Sequence, residues 1–124
     1  MDGQMENFLQ GGFFKKLMEE QMGDLRQKYD MKKAELEILY FLSKCGEHNT
    51  PTDIHYQLMM NRGHISQAVD SLCKRQLIVV MPDEKDRRFV HYLLSDAAQE
   101  IVAELTALQE KYDKDIAEAE KEAE

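Results

Sequence analysis

Two short polar stretches hold the side chains best suited to chemistry: Asn61-Arg62-Gly63-His64-Ile65-Ser66-Gln67 and Asp83-Glu84-Lys85-Asp86-Arg87-Arg88. Guanidinium, amide and hydroxyl groups present donors and acceptors in fixed geometry, so these residues suit recognition by hydrogen bonding and charge rather than bond making. Covalent chemistry has no comparable constellation. The sequence has no Ser-His-Asp elbow, no phosphate-cradling Gly loop and no clustered zinc motif, which argues against an enzyme. His48, His55, His64 and His91 lack a tight ligand spacing, with only Cys45 and His48 close together, so no metal or other cofactor is expected. Cys45 and Cys73 are too few for a disulfide framework; each reads as a small apolar packing residue before it reads as a redox sensor.

The elements that must position these stretches follow from periodicity. Residues 4–29 read as helix, with Phe8, Leu9, Phe13, Leu17, Leu25 and Tyr29 mostly three or four apart and Met18 and Met22 beside them. Gly11-Gly12 should kink or end a leading turn. Asp30 is placed to cap a helix over 32–45, whose stripe is Leu36, Leu39 and Leu42 with Ile38 alongside, and Gly46 fits the left-handed position after it. Thr50-Pro51 starts a short helix over 51–58. Asn61 can cap the next, 62–75, with Ile65, Ala68, Val69 and Leu72 on its apolar side. Leu77–Val80 and Phe89–Leu94 read as strands around a turn at Pro82–Asp86, so 77–94 is a hairpin. Ser95 or Asp96 should cap a last helix of about 25 residues, long for so small a globule. Its seam of Ile101, Leu105, Leu108, Tyr112, Ile116, Ala119 and Ala123 needs a partner, and a second subunit is the simplest one. The fold class is mainly α with a small β-hairpin: a winged helix-turn-helix, flanked by N- and C-terminal helices.

Composition agrees with that class. The 124 residues are 43% hydrophobic and 32% charged with six Gly and two Pro, which suits a helix-rich chain. No apolar run has the length of a membrane helix and no secretory signal is visible, so no membrane partner is expected and the default compartment is the cytoplasm. The net charge of −8 argues against a polyanionic partner until it is divided. Residues 1–49 carry −2, residues 50–94 carry +1 and residues 95–124 carry −7. The near-neutral middle can present a local basic face, while the acidic end reads as a solvated helix surface.

Thr50-Pro51-Thr52-Asp53-Ile54-His55, then Asn61 through Ile78, then Asp83 through Arg88, resembles the MarR/SlyA family of bacterial transcription regulators over roughly residues 31–98. The specific part is Ile65-Ser66, Val69-Asp70-Ser71-Leu72, Leu77-Ile78 and Asp86-Arg87-Arg88 in register. The resemblance implies a homodimer on pseudo-palindromic double-stranded DNA, usually a repressor, with a small-molecule inducer or an oxidised Cys releasing the DNA in many members. The sequence departs from the pattern in four places. Gln67 stands where Arg commonly follows the Ser, His55 replaces a small residue, Gln76 replaces the Gly before the first wing strand, and one helix rather than two closes the chain.

On that reading the helix carrying Asn61, Arg62, Gly63, His64, Ser66 and Gln67 enters the major groove by its first turns. Gln67 suits bidentate pairing with adenine, Gly63 allows close backbone approach, and Ser66 with the helix-start amides suits phosphate. Arg87 and Arg88 at the wing tip complete the DNA-binding residues: Arg87 would reach the adjacent minor groove, and Arg88, held by Asp86, would chiefly shape the hairpin. The expected organisation is a dimerisation helix over 1–29, a DNA-binding core over 30–95 and a dimerisation helix over 96–124. Phe8, Leu9, Phe13, Leu17, Ile101, Leu105, Leu108, Tyr112 and Ile116 are the dimer residues. Phe13, Leu17, Met18, Tyr40 and Phe41 are candidates to line a ligand cavity. The alternative is a winged-helix protein-interaction module that does not bind DNA, favoured by the acidic end and Gln67. Arg62, Arg87 and Arg88 discriminate, because such a module has no use for basic residues at both helix start and wing tip.

Overall fold

The computed structural model describes residues 16–17 and 19–123. These residues fall into two compact units, one over 31–103 and one formed by 16–30 with 104–123. The chain runs through α1 (helical over 19–29), α2 (Lys33–Lys44), α3 (Pro51–Leu58), α4 (Arg62–Lys74), β1 (Ile78–Pro82), β2 (Val90–Leu94), a 3₁₀ turn (Asp96–Ala98) and α5 (Gln99–Ala123). The architecture is mainly α with one antiparallel hairpin, as expected. Phe8, Leu9, Phe13, Met18 and the Gly11-Gly12 break lie outside the described residues.

The 31–103 unit is built on one apolar core. Leu36, Ile38 and Leu39 of α2, Ile54 of α3 and Leu72 of α4 are fully enclosed, joined by Ile65, Ala68 and Val69 of α4, Leu77, Ile78 and Tyr92 of the hairpin, and Ala98. α4 packs against α2, α3 and β1. One carboxylate is buried among these groups. Glu35 Oε1 accepts the Lys32 N–H (3.2 Å) and Oε2 accepts the Ser71 hydroxyl (3.1 Å), so one side chain closes the start of α2 and ties it to α4. A buried carboxylate needs such partners, because leaving it bare costs several kcal/mol, of order the penalty for an unpaired buried ion.

Most boundaries follow local signals. Thr50 accepts the Asp53 N–H at 3.1 Å while Asp53 accepts the Thr50 N–H at 3.1 Å, a reciprocal capping box with Pro51 at the first helical position. Asn61 Oδ1 accepts the His64 N–H at 2.8 Å and opens α4. Two expectations change. Asp30 does not cap α2: it sits in a left-handed turn (φ 52°), the helix begins at Lys33, and the Glu35 carboxylate takes the orphan N–H instead. Ser95 does not cap α5 either. Its hydroxyl donates to the Gln76 carbonyl at 2.6 Å, and a 3₁₀ turn intervenes before Gln99.

α4 ends in a Schellman closure. The Leu77 N–H donates to the Leu72 carbonyl (2.9 Å) and the Gln76 N–H to the Cys73 carbonyl (3.0 Å), with the Leu72 and Leu77 side chains both buried. The hairpin then pairs Ile78 with Leu94 through to Pro82 with Val90. Residue 49 flanks β2 on its other side, where the Asn49 carbonyl accepts the Tyr92 N–H at 2.9 Å. Val79, Val80, Met81 and Leu93 of the hairpin are exposed apolar residues.

α5 keeps the sustained seam, but Ile101 and Leu105 are already buried within the single chain. Leu108, Tyr112 and Ile116 are half-buried, and Leu17 of the N-terminal segment is also half-buried. In the 16–30 and 104–123 unit, Glu104 accepts from the Lys28 ammonium (2.6 Å) and the Tyr29 hydroxyl. No helix among the described residues is long and apolar enough to cross a membrane.

The Schellman closure places Gln76 at φ 60°, the left-handed region that Gly occupies without cost. Gln76→Gly should therefore stabilise the chain by about 1 kcal/mol, the scale of the left-handed penalty for a residue with a Cβ. Urea unfolding checks this; an unchanged or lowered midpoint would mean the closure carries no strain.

Candidate nucleic-acid interface

The same apolar stripe that seats α4 decides which side chains stay free. With Ile65, Ala68, Val69 and Leu72 turned inward, Asn61, Arg62, Gly63, His64, Ser66 and Gln67 are all exposed on the other side. The side chains of Arg62, His64, Ser66 and Gln67 make no hydrogen bond or ion pair with any described residue. Asn61 is the exception, since its Oδ1 is committed to the helix cap. Gly63 is not demanded by the fold: an added Cβ would meet only Asn61 Oδ1, at 3.4 Å. The surface at this position is open around the Gly63 backbone.

The turn leading into α4 is fixed from α3. Met59 takes a left-handed conformation (φ 55°), and His55 Nδ1 lies 2.6 Å from the Met60 carbonyl, so the ring N–H closes the turn. Tyr56 and Met59 are strongly exposed beside it. The larger residue at position 55 thus makes a bond that a small residue could not.

At the hairpin tip, two carboxylates organise the backbone. Asp83 Oδ2 accepts the N–H groups of Lys85 (3.0 Å) and Asp86 (2.9 Å). Asp86 takes the Arg88 guanidinium in a two-pronged pair, Nε to Oδ1 at 3.0 Å and Nη2 to Oδ2 at 2.8 Å, and also accepts the Arg88 N–H at 3.1 Å. Arg88 is therefore spoken for within the tip. Arg87 is exposed and makes no hydrogen bond or ion pair with any described residue. The Arg88 guanidinium beside Asp86 holds its carboxyl below the usual carboxylate range; hydrogen bonding from His91, then from the tip amides, does the same for Asp83.

The base of the wing holds residues that sequence reasoning did not single out. His91 Nδ1 lies 2.5 Å from Asn49 Oδ1, and Nε2 lies 2.7 Å from Asp83 Oδ1. Asn49 is buried. No spacing rule could have found this chain, because Asn49 and His91 are 42 positions apart. The sulfur groups offer little: burial pushes both the Cys45 and the Cys73 thiols up, with Asp70 adding to the effect at Cys73, which disfavours the reactive thiolate. The described residues contain no group of three or more His, Cys, Asp or Glu able to hold a metal ion.

Comparison with known proteins places this geometry. The winged helix DNA-binding domain family matches residues 31–98. Among solved structures, S. pneumoniae FabT in complex with DNA superposes with a TM-score of 0.74 at 20% identity, covering 94% of this chain and 82% of that one. The reduced form of MarR from E. coli gives 0.70 at 15% identity, covering 86% and 79%. The S. aureus MepR–DNA complex gives 0.69 at 17% identity, covering 82% and 76%. At these identities the likeness is one of fold. No curated protein sequence matches the chain.

The tip carboxylates set a pH expectation. A carboxyl held low in the folded chain contributes its full stabilisation above its ordinary value and loses it as pH falls through the lowered value. The contacts of Asp86 with the Arg88 amide and guanidinium should accordingly persist on acidification and fail only in strong acid. The Arg88 amide resonance reports this directly; its collapse on acidification while still above the normal carboxylate range would contradict the assignment.

Proposed function

Because the chain belongs to the winged helix DNA-binding domain family, with its matched residues covering more than half of the sequence, we propose that it is a homodimeric, sequence-specific DNA-binding transcriptional regulator of the MarR type, acting as a repressor. The observation that carries the reading is a pair of arginines that bond to no other described residue, Arg62 at the start of α4 and Arg87 at the wing tip. Charged side chains left bare at two positions suit a polyanion whose phosphates run past both. The fold likeness to FabT and MepR, whose structures include DNA complexes, supports the same reading.

In this reading α4 enters the major groove. Gln67 reads a base edge, and its amide matches the donor–acceptor pair of adenine. Ser66 and the first-turn amides take phosphate, and His64 and Arg62 take phosphate or a base edge. Arg87 enters the adjacent minor groove, where a narrow A·T-rich stretch concentrates negative potential. Arg88 stays with Asp86 and shapes the tip. Two copies joined through their terminal helices, by Phe8, Leu9, Phe13 and Leu17 with Leu108, Tyr112 and Ile116, would present two such heads to one duplex. Ile101 and Leu105 serve each chain's own packing first. A small ligand that changes the spacing of the heads is the simplest inducer.

Selection of bound fragments from random duplex DNA at fixed salt tests the proposal. Two half-sites about one helical turn apart are expected for a two-fold dimer. Failure to retain any duplex at low salt would sink it and favour the protein-interaction module. Two substitutions sharpen the test. Arg87→Ala should weaken binding to all sequences and lower the salt slope by about one. Gly63→Ala should stabilise the helix, by up to about 1 kcal/mol, yet weaken duplex binding because the added methyl occupies the approach space. A variant that binds as well as the parent would remove Gly63 from the interface.

A further inference from the structure

The wing tip is connected to the interior by an unbroken polar chain. Buried Asn49 meets His91, His91 meets Asp83, Asp83 holds the N–H groups of Lys85 and Asp86, and Asp86 holds Arg88, leaving Arg87 between two fixed neighbours. Asn49 itself is anchored, because its carbonyl accepts the Tyr92 N–H of β2. His91 joins the buried Asn49 to Asp83 in this chain of contacts. It lies part-buried, with its side chain 30% exposed.

Both ring nitrogens of His91 face oxygen. Asn49 Oδ1 stands against Nδ1 and an Asp83 carboxylate oxygen against Nε2. A neutral imidazole carries one N–H and can donate to one of them, leaving a lone pair against the other oxygen; an imidazolium donates to both. Among the described residues Asp83 is the one carboxylate bonded to the ring. On β1 the residue opposite is Met81, which carries no charge. From α2 and α3, which also pack on β2, no charged side chain among the described residues bonds to the ring.

We propose that His91 is a positioning residue for the DNA-contacting wing: in its protonated form it locks Asp83 and the tip to Asn49 and the core, and on deprotonation it releases one of the two, so that Arg87 is presented firmly at low pH and loosely at high pH. The proposal rests on the DNA-binding reading for its consequence but not for its structural content. Among the described residues the hairpin is two strands wide, and this contact adds a side-chain tie between its tip and its packed base. The depressed titration of Asp83, caused first by its bond to His91, is consistent with the same contact.

Two measurements test it on the full chain. In the free protein, the ¹⁵N resonances of the His91 ring and the Lys85 and Asp86 amides are followed from pH 5.5 to 8. The amides should move in step with the ring, and should lose that step in His91→Gln, which is neutral throughout. Tip amides that stay still while the ring titrates overturn the proposal, whatever the protein does with DNA. In the second measurement, duplex affinity is read at fixed salt over the same range. Affinity should fall by about fivefold more in the parent than in His91→Gln, a typical size for coupling between two sites. Comparing the two profiles removes the contribution of His64, which both proteins retain. The excess should vanish when Arg87→Ala is present in both; an excess that survives shows that His91 does not act through Arg87. If the amides move with the ring but no duplex binds at any pH, the wing tie stands and the DNA-binding reading falls.

Discussion

α4 must bury one side and leave the other bare, and the rest of the 31–103 unit is arranged around that requirement. Four apolar residues on thirteen positions give it a stripe that α2, α3 and β1 cover. Fully burying a side chain such as Leu72 contributes about 1.5–3 kcal/mol, far more than any exposed contact on the opposite side. The stripe therefore sets the rotation of the helix, and the exposed polar residues follow passively. Glu35 adds a directional constraint that apolar packing lacks. Its bond to Ser71 fixes α4 against the start of α2 at one point, which limits sliding along the helix axis.

What the sequence made legible was what is decided locally. Thr50-Pro51 and Asn61 mark helix starts because the groups they satisfy lie within three residues. Asp86 and Arg88 are two apart, and their ion pair is a matter of reach. The failures share a cause as well. Asp30 has the right side chain for a cap, but the backbone turns left-handed there and a carboxylate from inside the helix takes the role. Ser95 has a competitor for its hydroxyl, the Gln76 carbonyl, 19 positions away. The network of Asn49, His91 and Asp83 spans three separate segments, so nothing in the local pattern announces it. Departures from the family pattern also became interpretable only in three dimensions. Gln76 keeps the left-handed backbone without the glycine, and His55 closes a turn that a smaller residue would leave to water.

Charge is partitioned along with structure. The acidic excess lies in residues 95–124, mostly along α5, while the middle of the chain is close to neutral. At physiological ionic strength exposed charges separated by more than about 8 Å are largely screened. A strongly negative total is thus compatible with a locally basic surface. The arrangement within the wing follows the same economy. Of its two adjacent arginines, one is neutralised by Asp86 and shapes the loop, while the other pairs with no acidic group among the described residues.

The hairpin has one guarded flank and one open one. Residue 49 lies along β2, whereas β1 has no second neighbour among the described residues and shows Val79, Val80 and Met81 to the outside. An open β-branched border of this kind can template further strands and lead to self-association in concentrated solution. Pro82 ends the run by removing a backbone donor, and Asp83, Glu84 and Lys85 follow it with charge. The length over which a foreign strand could zip onto the molecule is thereby held to a few residues, which is how a chain can keep an oily ribbon in water without precipitating through it.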